Sequence, residues 1–75
     1  MNINDFISAF AEEFEETPED RFRPDTVFKQ LGEWDSLMSL SILAMIDEVV
    51  GKRVTGSELR SCETIEDLFN LSMNK

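Results

Sequence analysis

Apolar positions along the chain fall into three helical stripes, interrupted by a long connection that is only sparsely apolar. Ile3, Phe6 or Ile7, Phe10 and Phe14 recur on one face, with Glu12, Glu13, Glu15 and Glu16 on the other. This pattern predicts a first amphipathic helix over residues 1–16, capped by Asn2 or Asn4. Thr17-Pro18 stops it. Residues 17–35 then form the connection, with Phe22, Val27, Phe28 and Leu31 as apolar islands. A loop this long in a small domain has to be anchored, so these islands are expected to plug into the core, with a short helical turn from Asp25 to Gln30. Helical spacing returns at Leu37, Leu40, Leu43 with Ala44, Ile46 and Val50, giving a second helix over residues 36–50. Asp35 is its expected N-cap and Gly51 its C-terminal stop. Val54 to Ser61 reads as a connection holding a short third helix, capped by Thr55 or Ser57, with Leu59 inward. Thr64 opens the last helix, and Thr64-x-x-Asp67 resembles a capping box with Asp in place of Glu or Gln. Ile65, Leu68, Phe69 and Ser72 make its inner face. The predicted fold is all-α: a small four-helix bundle of three main helices, one short helix and a long first loop, forming a single domain over residues 1–75.

Composition narrows the chemistry. A chain of 75 residues buries only about 60% of its unfolded surface, so the core must be simple. The single cysteine excludes an internal disulfide, and no cysteine pair is present for a metal site. Histidine is absent, which removes the commonest general base and metal ligand. Sixteen acids against seven bases give a net charge of −9. Such a chain repels nucleic acid and attracts basic partner surfaces. The first twenty residues carry seven acids and no base, which argues against a signal peptide, and no stretch is long enough to span a membrane. The cytoplasm is the expected location. Arg21 and Arg23, a close basic pair, are expected to neutralise the acidic first helix. The acid run from Glu12 to Asp20 lacks the spacing of a calcium loop and reads as a solvated face.

The stretch with most chemical content is Leu31-Gly32-Glu33-Trp34-Asp35-Ser36-Leu37. With Asp35 as cap, Ser36 is the first helical residue. Its hydroxyl then lies where unpaired backbone N–H groups and the positive end of the helix dipole favour an anion. A serine placed there is suited to carry a phosphate ester.

Phe28, Leu31-Gly32 and Asp35-Ser36-Leu37, together with the Val54 connection, the short third helix and the Thr64-Ile65 start of the last helix, resemble an acyl carrier protein over nearly the whole chain. The resemblance implies that Ser36 is the attachment site for 4′-phosphopantetheine, moved from coenzyme A by a phosphopantetheinyl transferase. It implies an arm whose thiol carries acyl groups as thioesters for acyl-loading and acyl-processing enzymes, and no catalysis by the chain itself. Asp35 would cap the helix and help to position the modifying enzyme with its metal; the carrier itself needs no metal.

Turning Leu37, Leu40 and Ala44 inward or edge-on leaves Met38 and Met45 toward solvent, where adaptable apolar side chains suit docking. The expected docking surface is therefore Leu37, Met38, Met45, Asp47 and Glu48. Leu43, Ala44, Ile46, Val54, Leu59, Cys62 and Ile65 are candidates for an acyl-lining pocket between the second and third helices, with core packing as their simpler role. Two features depart from the family pattern. The second helix shows Met38, Ser39, Ser41 and Met45 over its first three turns, where fatty-acid carriers are strongly acidic. Trp34 stands where small residues are common, and is expected to cover the loop. A carrier dedicated to a specialised biosynthetic pathway, rather than to primary fatty-acid synthesis, would explain both departures; a stand-alone monomer is the default for a carrier that must visit several partners. An aminoacyl, peptidyl or D-alanyl carrier is the alternative within the class, and an unmodified helical adaptor of the same fold is the alternative outside it.

Overall fold

A computed structural model describes the whole chain, residues 1–75, as four α-helices: α1 (Ile3–Glu12), α2 (Ser36–Val49), α3 (Gly56–Ser61) and α4 (Ile65–Met73). α1 packs on α2 and α4, and α3 packs on α2. The result is the four-helix arrangement expected, with α3 the short member.

Each helix starts on a side-chain cap. The Asn2 carbonyl oxygen accepts from the Asp5 N–H at 2.9 Å, opening α1. α1 then ends earlier than its apolar stripe predicts. The N–H groups of Glu13 and Phe14 reach back only three residues, to Phe10 and Ala11. The next three N–H groups, of Glu15, Glu16 and Thr17, bond to the Glu33 carboxylate instead of helical carbonyls. Phe14 therefore leaves the helix yet stays buried, its ring stacked on Phe10 at 5.5 Å and packed on Phe22 at 5.0 Å.

The long connection is anchored mainly by its aromatic residues. Phe22 and Phe28 are buried, Leu31 packs half-buried against the core, and Val27 lies at the surface. The expected turn from Asp25 to Gln30 shrinks to a 3-10 turn at Phe28–Gln30, and a second one forms at Glu19–Arg21. Thr26 is held apart from it: its hydroxyl donates to the Arg21 carbonyl and accepts from the Arg23 N–H. Neither Arg21 nor Arg23 pairs with an acid of α1; the one ion pair of the chain joins Lys75 to Glu58 at 2.6 Å. The connection is also laced to the start of α4. Val27 pairs with Thr64 as an antiparallel bridge, and the N–H groups of Ile65 and Glu66 donate to the carbonyls of Thr26 and Pro24. Two donors that a helix start leaves without partners are thereby satisfied by the loop.

α2 buries a different face from the one its leucines suggest. Ile42, Met45 and Ile46 are in the core and Met38 is half-buried against it. Leu37 and Leu40 are 72% and 64% exposed, and Ala44 is exposed as well. The expectation that Leu40 and Ala44 turn inward or edge-on is corrected, while Leu37, also expected at the docking surface, is found exposed. The helix is apolar on nearly every side, so spacing alone does not select a face; packing against α1 and α3 does.

Gly51 closes α2 at φ +75°, with its N–H bonded to the Ile46 carbonyl at 3.2 Å. A side chain in that left-handed region is strained, so Gly51→Ala is expected to destabilise the domain by about 1 kcal/mol in urea denaturation. Gly32 has no positive φ and open space around its missing Cβ, so Gly32→Ala should leave stability nearly unchanged.

Both short C-terminal helices carry full capping boxes, Thr55 with Glu58 and Thr64 with Asp67. Ile65, Leu68 and Ser72 of α4 are buried and Phe69 is half-buried, with the Ser72 hydroxyl bonded to the Leu68 carbonyl. At the centre of the core, Phe10 touches Phe14, Phe22, Phe28 and Trp34.

Candidate functional site

Asp35 adopts an extended backbone and its Oδ1 accepts from the Met38 N–H at 2.7 Å, so Ser36 is the first residue of α2. The Ser39 N–H bonds to the Asp35 carbonyl. The N–H groups of Ser36 and Leu37 have no partner within the chain, and the Ser36 hydroxyl, exposed, makes no hydrogen bond either. A phosphate ester on this oxygen would meet two free donors and the positive end of a fourteen-residue helix. These residues fit a phosphate-linked arm.

Two depressions flank the serine. The larger, about 760 Å³, runs between α2 and α3. Ser36, Ser39, Leu40 and Leu43 form one wall, at the spacing of a single helix face. Gly56, Leu59 and Arg60 form the other, and Trp34 and Lys29 close the loop side. The second depression, about 530 Å³, lies toward the α1 loop and is lined by Glu13, Glu15, Glu16, Glu33, Asp35, Leu37 and Met38. One neighbouring surface thus carries two cations and the other is acidic.

Of the residues expected to line an acyl pocket, Leu43 and Leu59 do line the larger groove. Ile46, Val54, Cys62 and Ile65 lie in the closed core behind it, and Ala44 is exposed outside it. Burial pushes the Cys62 thiol up, away from reactivity. Of the docking candidates, Leu37, Asp47 and Glu48 are exposed and Met38 is half-exposed. Met45 is only 5% exposed and belongs to the core, so it is removed from that surface. Its place is taken by Leu40, which the leucine spacing had assigned inward. Trp34 lies over the loop as expected, edge-on to Phe28 at 4.9 Å, while also facing the groove. Lys29 and Arg60 had no individual signal: they are 31 residues apart and meet only because the Lys29 ammonium donates to the Arg60 carbonyl.

Glu33 is the other residue that only the folded chain reveals. Its carboxylate accepts from the N–H groups of Glu15, Glu16 and Thr17 at 3.1, 3.0 and 2.6 Å, and from the Thr17 hydroxyl. This clasp ties the end of α1 to the segment that delivers Asp35 and Ser36. The Thr17 hydroxyl above all, with the three backbone donors, holds the Glu33 carboxyl below its ordinary pKa. Lys75 lowers Glu58, and the Thr64 N–H lowers Asp67. A carboxyl lowered by folding lends stability that is present above its unfolded pKa and lost as the pH falls through its folded one. The melting midpoint is therefore expected to drop as the pH goes from about 6 to about 3. Glu33→Gln should lower the midpoint at neutral pH and make that acid-side drop shallower; an unchanged acid profile would show that the clasp contributes nothing.

Comparison with known proteins gives one match. A family model described as the phosphopantetheine attachment site covers residues 4–71. No curated protein and no solved structure matches the chain.

Proposed function

The chain belongs to the phosphopantetheine-attachment family of carrier proteins, with 4′-phosphopantetheine as its covalent cofactor, and on that premise we propose that Ser36 is the modified residue of an acyl carrier working as a cytoplasmic monomer. The observation that carries the assignment is the free Ser36 hydroxyl on the first turn of α2, beside two unpaired N–H groups. When bound, the arm supplies a thiol on which cargo is held as a thioester. The chain's own part is to present and orient.

Attachment forms a bond from Ser36 Oγ to the phosphorus of coenzyme A that bears the pantetheine. It breaks the pyrophosphate linkage and releases adenosine 3′,5′-bisphosphate. No side chain of this chain bonds the Ser36 hydroxyl, and Asp35, the adjacent acid, turns its Oδ1 to the Met38 N–H, so the hydroxyl proton is assigned to an acceptor outside the chain. A base of the transferase must take it.

Docking is assigned to the surface around the serine. Leu37 and Leu40 project into solvent, Met38 is half-exposed, and Asp47 and Glu48 lie further along α2. Exposed leucines with few acids on the first turns support recognition by a partner with a matching apolar depression, rather than by a basic patch alone. That favours acyl-processing enzymes of a specialised pathway.

The test is intact-mass analysis after incubation with coenzyme A, magnesium and a broad-specificity transferase, followed by peptide mapping. One phosphopantetheine-sized increment on the peptide containing Ser36, and on that residue rather than Ser39 or Ser41, is the expected result. An increment on another serine would overturn the assignment.

A further inference from the structure

The groove between α2 and α3 carries an imbalance of charge that the attachment of an arm does not explain. The chain has more than twice as many acids as bases, yet Lys29 and Arg60 both line this one groove. Neither forms an ion pair. The Lys29 ammonium is fixed at the rim by its bond to the Arg60 carbonyl, which leaves its other two N–H groups free. The Arg60 guanidinium folds back over Gly56, with Nη1 3.4 Å from the position a Cβ would take there. The only acid lining the groove is Asp35, and its carboxylate is engaged with the Met38 N–H.

A phosphate ester on Ser36 does not require these cations, because the free N–H groups of Ser36 and Leu37 already face it. The remaining walls are Trp34, Leu40, Leu43 and Leu59, which suit carbon rather than phosphate. Behind them Ile42, Ile46 and Val54 are buried, so the groove has no extension into the core for a long chain. On the other flank of the serine, Glu13, Glu15, Glu16 and Glu33 repel an anion.

Resting on the carrier reading, we propose that this groove holds a short acyl group ending in a carboxylate, its chain against Leu40, Leu43 and Leu59 and its carboxylate on Lys29 and Arg60. The cargo class is then the half-thioester of a dicarboxylic acid. The groove selects it over a neutral acyl group of the same length by charge pairing at its rim, where Lys29 is half-buried and Arg60 exposed.

The test compares carriers loaded with succinyl and with butyryl groups, four carbons each, from the corresponding acyl-coenzyme A. Intact mass first establishes one group per chain; failure to load overturns the carrier reading and not the groove. The succinyl form is expected to melt about 3–6 °C above the butyryl form at low salt, with the difference roughly halved at high ionic strength. Amide signals of Lys29, Leu43, Leu59 and Arg60 should shift only in the succinyl form. In the Lys29→Gln/Arg60→Gln double variant the difference between the two cargoes should vanish, and because each is measured against the other, any general loss of stability cancels. Equal midpoints in the wild type would overturn the proposal. So would a gain already present on attaching the unloaded arm and lost in the double variant, since the phosphodiester would then be the ligand.

Discussion

Ser36→Ala is expected to abolish loading completely while leaving the fold in place. Alanine retains the backbone, and the Asp35 cap acts on the Met38 N–H, not on Ser36. The lost hydroxyl makes no intramolecular hydrogen bond and is exposed, so stability should move by no more than about 0.5 kcal/mol. Ser39→Ala serves as the control. Ser39 lies one turn further on, lines the same groove and donates to the Asp35 carbonyl, but it sits off the helix start. It should load at the wild-type rate. Intact mass gives the first result and a melting curve the second. A variant that still gained the increment would move the site elsewhere; one that unfolded would make Ser36 structural.

Phe10→Ala should be the most damaging single change to the fold. Its ring is fully buried and touches four other aromatic side chains, Phe14 just past α1 and Phe22, Phe28 and Trp34 in the long connection. Removing such a ring costs about 3–5 kcal/mol, because the cavity it leaves closes only partly. At 0.05–0.15 kcal/mol per residue, a domain of this length has a total of about 4–11 kcal/mol, so much of the reserve is lost. Trp34 reports on it directly, since it is the only tryptophan and lies against Phe10 and Phe28. Urea unfolding followed by its fluorescence should show a midpoint shifted strongly downward. Phe14→Ala, at the partly exposed edge of the same cluster, should shift it less.

The residues legible in sequence are those whose effect is local. Asp35 and Thr64 cap helices where their types and spacings predict, and of the alternatives at the other two starts the caps are Asn2, not Asn4, and Thr55, not Ser57. Thr55-x-x-Glu58 carries the same capping-box spacing as Thr64-x-x-Asp67. The inner face of α4 and the buried Phe22 and Phe28 follow from spacing and from the need to anchor a long loop. Where periodicity is ambiguous the reading fails: α2 is apolar around most of its circumference, and spacing puts Leu40 inward and Met45 outward, the reverse of what packing selects. The acyl pocket was drawn too deep for the same reason, since inward and groove-facing are not separable by hydrophobicity. Glu33, Lys29 and Arg60 were out of reach altogether. Glu33 and Lys29 act through backbone groups 16 to 31 positions away, one of them the carbonyl of Arg60, and a side chain bonding to main chain imposes no residue type on its partner.

The lacing between the first loop and the start of α4 bears on when, during synthesis, the loop leading to Ser36 is complete. The loop that ends in Asp35 and Ser36 is pinned at Pro24, Thr26 and Val27 by residues 64 to 66. A nascent chain that has emerged only through α2 has the serine but not its setting. The helix carrying the hydroxyl can form, and Phe22, Phe28 and Glu33 can hold the loop to α1, yet Pro24, Thr26 and Val27 lack their partners until α4 is made. A fragment ending after α2 is therefore expected to hold residues 24–27 less firmly than the full chain, read as faster amide exchange in that stretch.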